Sequence, residues 1–309
     1  MKPLNLEAFL NSHKLPASYG DLIQQQFLPV AATIAKQRQV AARPLLVGIN
    51  GCQGSGKTTL ADALVMLLQE VHNLRAQAVS IDDFYLTKAE REHLGNSVHP
   101  LLRTRGVPGT HATELARQTL AALTAPEKTT VAVPRFDKAS DDRQPEEQWP
   151  RVESPLDVVI LEGWCVGATP QSPAQLLDPV NDLEKYEDPD GVWRRYVNDT
   201  LEADYQALFH LMDVWVMLKA PSFDTVFRWR LEQEDKLRAV KQSSGADTSG
   251  LMSAKQVERF IGHYQRITEH TLKTMPNRVH FLFKLDQQRN ITDQLNPRKL
   301  ELDIASKQG

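Results

Sequence analysis

A mainly parallel β-sheet with helices on both faces is the fold the sequence predicts, and three observations predict it. Short apolar runs alternate with stretches whose apolar residues recur at helical spacing. One junction between such a run and such a stretch is Gly51-Cys52-Gln53-Gly54-Ser55-Gly56-Lys57-Thr58, which matches G-x-x-x-x-G-K-[ST] without a mismatch. Two further apolar runs end in acids, one at Asp82-Asp83 and one at Glu162.

Composition bounds the answer before any motif is weighed. Hydrophobic residues make up 41% and charged residues 24% of 309, enough for a sizeable core in a globular chain. The net charge of −3 leaves no basic field, so nucleic acid is not an expected partner. No apolar run approaches the roughly 20 residues that cross a bilayer, so no membrane partner is expected either. The N-terminal stretch MKPLNLEAFLNSHKLP lacks a continuous apolar core and does not read as a signal peptide. Two cysteines, Cys52 and Cys165, do not make a disulfide framework, and the cytoplasm is the expected compartment.

Taken in chain order, residues 5–40 read as helical with interruptions at Pro16 and Pro29. The run 45–49 is the first strand, and 58–68 is the helix that follows the glycine-rich loop. A second strand at 76–81 precedes a short helix with Thr87 as N-cap and Glu90 three positions on, a capping box. Residues 95–111 form a Gly-, Pro- and Arg-containing loop, followed by a helix at about 112–123 and a strand at 129–133. A long polar loop then leads to a third central strand at 156–161. Residues 168–190 are irregular and 191–211 helical. A strand at 214–218, a charged helix at about 222–242, a mobile loop at 241–250, a helix at about 253–274 and a strand at 279–283 complete the core. The last residues read as a polar tail. The expectation is one domain over 1–309, a P-loop NTPase fold with about five parallel strands. It carries N-terminal helices over 1–43, an insertion over 168–212 and a lid over 222–253.

The glycine-rich loop lets successive backbone N–H groups and a helix N-terminus face an anion. Gly51, Cys52, Gln53, Gly54, Ser55, Gly56, Lys57, Thr58 and Thr59 are therefore expected to hold the phosphates of a nucleoside triphosphate. Lys57 reaches the β- and γ-phosphates in this reading, and the Thr58 hydroxyl ligates Mg²⁺. Cys52 is expected to act as a small apolar filler. Glu162, at the end of an apolar strand, fits a second Mg²⁺-holding position. Asp82 and Asp83 lie where parallel sheets place their sites, and a hydroxyl acceptor needs such a carboxylate as its base. The same dipeptide also suits an Asx turn. Arg228, Arg230 and Arg238 stand on a charged helix beside a Gly/Ser loop, as in a closing lid, with Arg228 and Arg238 sharing a face. Tyr85, Arg105, His111, Arg135, Asp137, Lys138 and Arg143, with Asp83, are candidates for binding a small-molecule acceptor.

The segments LVGINGCQGSGKTTL, SIDDFYLT, RGVPGTHA, PRFDKASDDR, VVILEGW and WRLEQEDKLR together resemble the D-glycerate 3-kinase family, within the uridine kinase and phosphoribulokinase group of P-loop kinases. The resemblance implies an ATP-dependent kinase acting on D-glycerate or a related hydroxy acid. It assigns the base to Asp82 and phosphate contacts to Arg228, Arg230 and Arg238. Where the family often has Asp after Gly-Thr-His, this chain has Ala112, and an acceptor specificity other than glycerate is expected if that Asp binds the acceptor. A uridine, pantothenate or sugar kinase is the alternative within the group, and a regulatory ATPase without an acceptor lies outside it. A GTP switch is disfavoured, because Lys284–Asn290 does not supply N-K-x-D.

Overall fold

The computed structural model describes residues 4, 6–243 and 251–300. Six strands form its central sheet: β1 (Leu45–Gly51), β2 (Ala76–Ser80), β3 (Val158–Gly163), β4 (Val214–Lys219), β5 (Phe281–Leu285) and β6 (Ile291–Leu295). Their order is β2-β3-β1-β4-β5-β6, all parallel except β6, which runs antiparallel to β5.

Side chains alternate across the inner strands and feed a core on each face. Leu45, Val47 and Ile49 of β1 pack with Val158 and Ile160 of β3 against Leu60, Leu64 and Leu67 of the helix Lys57–Glu70. Leu46, Val159 and Leu161 point the other way, towards Leu120 and Leu123 of the helix Thr113–Thr124. Burial on both faces is why these strands read as continuous apolar runs.

The departures from expectation have physical causes. The five parallel strands expected are present, and the polar segment ITDQL at 291–295 adds a sixth as an antiparallel edge strand. An edge needs no apolar faces, so this strand resembles a tail in sequence. The strand predicted at 129–133 stays outside the central sheet. Thr129–Ala132 pairs with Arg151–Ser154 in a separate two-stranded ribbon, with Thr129 and Thr130 exposed. The last core strand starts at Phe281 instead of 279, behind a 3₁₀ turn at Pro276–Arg278. Pro16 breaks the N-terminal helices as expected, but Pro29 does not. It occupies the first turn of the helix Leu28–Val40, directly after a π turn at Ile23–Phe27, where its missing N–H has little cost.

Residues 168–212 hold the helices Asp182–Glu187 and Val192–Thr200 and a π turn at Leu201–Tyr205. This segment is stapled to the helix Ala254–Thr274 by Arg266. The guanidinium donates to both carboxylate oxygens of Glu184, at 2.7 and 2.6 Å, and to the carbonyls of Gln175 and Asp178 at 2.7 Å. Both ionic partners are buried, and the pair is matched by these further hydrogen bonds, as burial demands. The long helix Phe223–Ser243 precedes the expected mobile loop, of which residues 244–250 lie outside the described residues.

Candidate active site

Strand register brings the motifs level at one end of the sheet. Glu162 of β3 pairs with Ile49 of β1 on one side and Ser80 of β2 on the other. The glycine-rich loop leaves β1 immediately beyond this row, and Asp82 follows β2 by two residues. Gly54 and Gly56 have φ of 76° and 89°, left-handed values that strain any side chain. Lys57 opens the helix whose N-terminus faces this loop. Ser55 Oγ and Gln53 Oε1 are buried without a hydrogen-bond partner. Cys52 is buried, and burial pushes its thiol up to about 12 despite the nearby Lys57, so it fills space, as expected.

Thr58 donates its hydroxyl to Glu162 Oε1 at 3.1 Å, while Oε2 is buried and unmatched. Burial, with Asp82 adding to it, raises the Glu162 carboxyl against the opposing pull of Lys57 and of the Ser80 and Thr58 hydroxyls. A buried carboxylate oxygen with no donor, beside a hydroxyl at the phosphate loop, fits the oxygen set that a Mg²⁺ ion takes.

Asp82 and Asp83 sit in a 3₁₀ turn, Ile81–Phe84, whose N-cap Ser80 accepts from the Asp82 N–H. The turn sends the two carboxylates to different partners. Asp82 accepts from Tyr85 Oη at 2.8 Å on Oδ1 and from Lys138 Nζ at 2.9 Å on Oδ2. Burial raises its carboxyl, but Lys138, Lys57 and these two hydrogen bonds outweigh that and bring it down to about 2. Asp83 instead pairs with Arg135 and accepts from the Phe136 N–H at 3.3 Å. Burial raises Asp83, with Arg135 opposing.

The loop RGVPGTH is fastened to this turn by backbone hydrogen bonds. Leu86 N donates to Thr110 O at 2.9 Å, and Ala112 N to Phe84 O at 2.7 Å. Tyr85 stacks on His111 with ring centroids 4.6 Å apart and meets Phe136 edge-on at 5.1 Å. His111 is buried, its Nδ1 2.6 Å from Tyr205 Oη and its Nε2 unmatched. Burial lowers it to about 4, with Asp82 opposing, so the ring is neutral near pH 7.

The remaining acceptor candidates divide. Lys138 reaches Asp82 directly. Arg105 pairs with Asp141 and lies over the Phe136 ring at 5.3 Å, and its carbonyl accepts from Tyr264 Oη at 3.0 Å. Arg143 is a support: its Nε and terminal nitrogen donate to Tyr85 O at 3.2 and 2.8 Å. Asp137 is directed into its own turn, accepting from Ala139 N, Ser140 N and Ser140 Oγ. That turn closes a small hairpin, Phe136–Asp137 with Asp142–Arg143, within the segment expected as loop.

The three arginines expected on a lid also separate. Arg230 turns inward, paired with the buried Glu234 and 5.6 Å from the Phe260 ring centroid. Arg228 bonds Gln287 Oε1 at 3.2 Å, while Arg238 bonds Asp235 and the Met252 carbonyl. The shared face of Arg228 and Arg238 therefore does not gather all three at one point.

Several residues that frame the site carried no motif. Asn50 is buried and donates to the carbonyls of Trp164 and Val166, tying β1 to the segment after β3. Trp164 donates to Gly106 O at 3.0 Å, which holds RGVPGTH from below. Arg91, 2% exposed, donates to the carbonyls of Leu86, Arg103 and Asp141 and so joins three segments. A charged residue at a helix's buried position is the only local signal for it.

No family model matches the chain. It is 36% identical over 256 residues to "Uncharacterized kinase mug58" of Schizosaccharomyces pombe, covering 80% of this chain and 88% of that protein. It is 34% identical over 264 residues to a chloroplastic D-glycerate 3-kinase of Arabidopsis thaliana, covering 80% of this chain but only 54% of the plant protein. A solved D-glycerate 3-kinase from Cryptococcus neoformans var. grubii superposes with a TM-score of 0.69 at 28% identity, covering 89% of this chain and 99% of that one.

Proposed function

Because the chain belongs to the D-glycerate 3-kinase family of P-loop kinases, we propose that it transfers the γ-phosphoryl group of ATP to a hydroxyl of D-glycerate. The observation that carries this reading is Asp82: a carboxylate beside the phosphate loop, paired with Lys138 and within the field of Lys57. Such surroundings suit an acceptor that is itself an anion. Backbone N–H groups of residues 51–58 and Lys57 hold the phosphates. Thr58 Oγ1 and Glu162 Oε2 are the groups that would hold Mg²⁺, which supplies charge neutralisation on the phosphate oxygens. Asp82 orients the acceptor hydroxyl and takes its proton, while Asp83 fixes the hairpin that presents Lys138. Arg230, the inward lid arginine, is the one we assign to transition-state charge.

We treat residues 1–309 as one kinase domain, with the lid at 222–253, and place the protein in the cytoplasm. Two buried, unpaired cysteines suit a reducing compartment, and among the described residues no helix is long and apolar enough to cross a membrane. The test is ADP release from Mg²⁺-ATP with D-glycerate, L-glycerate, uridine, pantothenate and common sugars. D-glycerate is expected to stimulate most. Equal release with and without every acceptor would point to a regulatory ATPase instead.

A further inference from the structure

Both oxygens of Asp82 are occupied in the described structure, Oδ1 by Tyr85 and Oδ2 by Lys138. The two partners differ in kind. Tyr85 is buried, stacked on His111 and held at its carbonyl by Arg143. The Lys138 side chain is 63% exposed, and its flexible stem rises from a hairpin whose backbone is fixed. Asp83 grips that hairpin at Phe136 N, and Asp137 closes its turn. The strand base is therefore firm while the ammonium is free to swing. The neighbouring guanidinium groups of Arg105 and Arg135 already pair with Asp141 and Asp83 and are less exposed than Lys138.

Resting on the kinase reading above, we propose that Lys138 holds Asp82 closed as a base until an anionic acceptor draws its ammonium away. The ammonium end of this pair is open to water while the carboxylate is not, so an acceptor carboxylate can reach Lys138 without displacing Asp82 from its place. Its departure frees Asp82 Oδ2 for the acceptor hydroxyl and removes the charge that most opposes protonation of that carboxylate. The hydroxyl oxygen then bonds to the γ-phosphorus. The bond from that phosphorus to the β–γ bridging oxygen breaks, its electron pair leaving with ADP, and the hydroxyl proton passes to Asp82 Oδ2. Water and neutral alcohols carry no carboxylate and leave the pair closed. One lysine thus selects hydroxy acids and restrains futile ATP hydrolysis.

Lys138→Met and Lys138→Arg, each checked for ADP binding by calorimetry, test the proposal. Lys138→Met is expected to raise ADP release without acceptor about tenfold and to lower the D-glycerate-over-glycerol preference in kcat/KM by at least about tenfold. Lys138→Arg, which keeps the charge, is expected to retain most of both restraints. An unchanged or lower acceptor-free rate in Lys138→Met overturns the proposal, as does loss of ADP binding, which would place the lysine on the nucleotide. The acceptor-free rate is readable whatever the acceptor proves to be. A wild-type enzyme that ignores D-glycerate therefore sinks the acceptor assignment and leaves the test of Lys138 intact.

Discussion

Arg289 donates its Nε–H to the carbonyl oxygen of Gly54 at 2.8 Å, so the turn between β5 and β6 grips the phosphate loop by its backbone. The guanidinium lies 5.1 Å from the Trp229 ring centroid and reaches Glu232 at 2.7 Å, both on the helix Phe223–Ser243. Arg289 has φ of 70°, a left-handed backbone held by a turn in which Asp286 accepts from Arg289 N and Asn290 N. Three segments therefore meet at Gly54. A Cβ there would lie 3.1 Å from Trp229 Cβ, a tight contact added to the strain that a φ of 76° puts on any side chain.

This hydrogen bond fixes the direction of the Gly54 carbonyl within the phosphate loop. Arg289→Met is expected to weaken ADP binding about tenfold, the scale of one charge-assisted hydrogen bond, while KM for the acceptor stays put. Lysine is not expected to rescue it, since an ammonium cannot stack on Trp229 and bond Gly54 and Glu232 as a fork does. Calorimetric ADP titration of the folded variant decides the matter. Unaltered affinity would reduce Arg289 to a surface contact.

The two adjacent aspartates are expected to fail differently. Asp82→Asn removes the proton acceptor and should cut kcat about 10²–10⁴-fold with nucleotide affinity kept. Asp83→Asn releases Arg135 and weakens the hold on Phe136, so its main effect should be a higher acceptor KM. Steady-state kinetics on both variants separates the roles. A larger kcat loss in Asp83→Asn would move the base to the second carboxylate.

The parts of this site that lie within a few residues of one another were legible in sequence. The phosphate loop, the Thr87–Glu90 capping box and the strands buried on both faces each rest on local spacing. The partner of each aspartate was not legible, because a single 3₁₀ turn decides where adjacent side chains point. Arg289 reaches Gly54 from 235 positions away and lies in a turn with no motif. Tyr205, which meets His111, is hidden in a π turn inside an otherwise ordinary helical stretch. The polar β6 failed for the opposite reason, since an edge strand needs no pattern that sequence would reveal.

Glu162 is expected to trade stability for function. Its carboxyl titrates higher in the folded chain than its ordinary 4.5, chiefly because of burial. The folded state thus holds that proton more tightly than the unfolded one, and stability falls as pH rises from about 4.5 through the raised value. Above the raised value the carboxylate is charged in a buried place, which destabilises the fold. Glu162→Gln should therefore raise Tm at pH 7 and flatten the fall in Tm above pH 4.5, while lowering turnover about 10- to 100-fold. Thermal scans across pH check this; a lower Tm at pH 7 would mean the carboxylate is better matched than its unpartnered Oε2 indicates.

Ala112 follows the Gly-Thr-His of the active-site loop, where the resembling family is expected to carry Asp, and its place in the fold gives that exchange a structural meaning. It is the N-cap of the helix Thr113–Thr124, and no side chain accepts from the first turn. Its own N–H is already engaged with the Phe84 carbonyl, so the backbone at 112 is fixed by the active-site turn. An aspartate here stands at the capping position, with φ of −79° and ψ of 76°, next to the N–H groups two or three residues on. Its charge would also favour the helix N-terminus. Ala112→Asp is accordingly expected to stabilise the protein by about 1 kcal/mol, near 2 °C in Tm for a chain this long. The order of preference among D-glycerate, L-glycerate and glycerol should not change. If the substitution instead reorders those acceptors with Tm unmoved, residue 112 faces the acceptor and takes part in its selection.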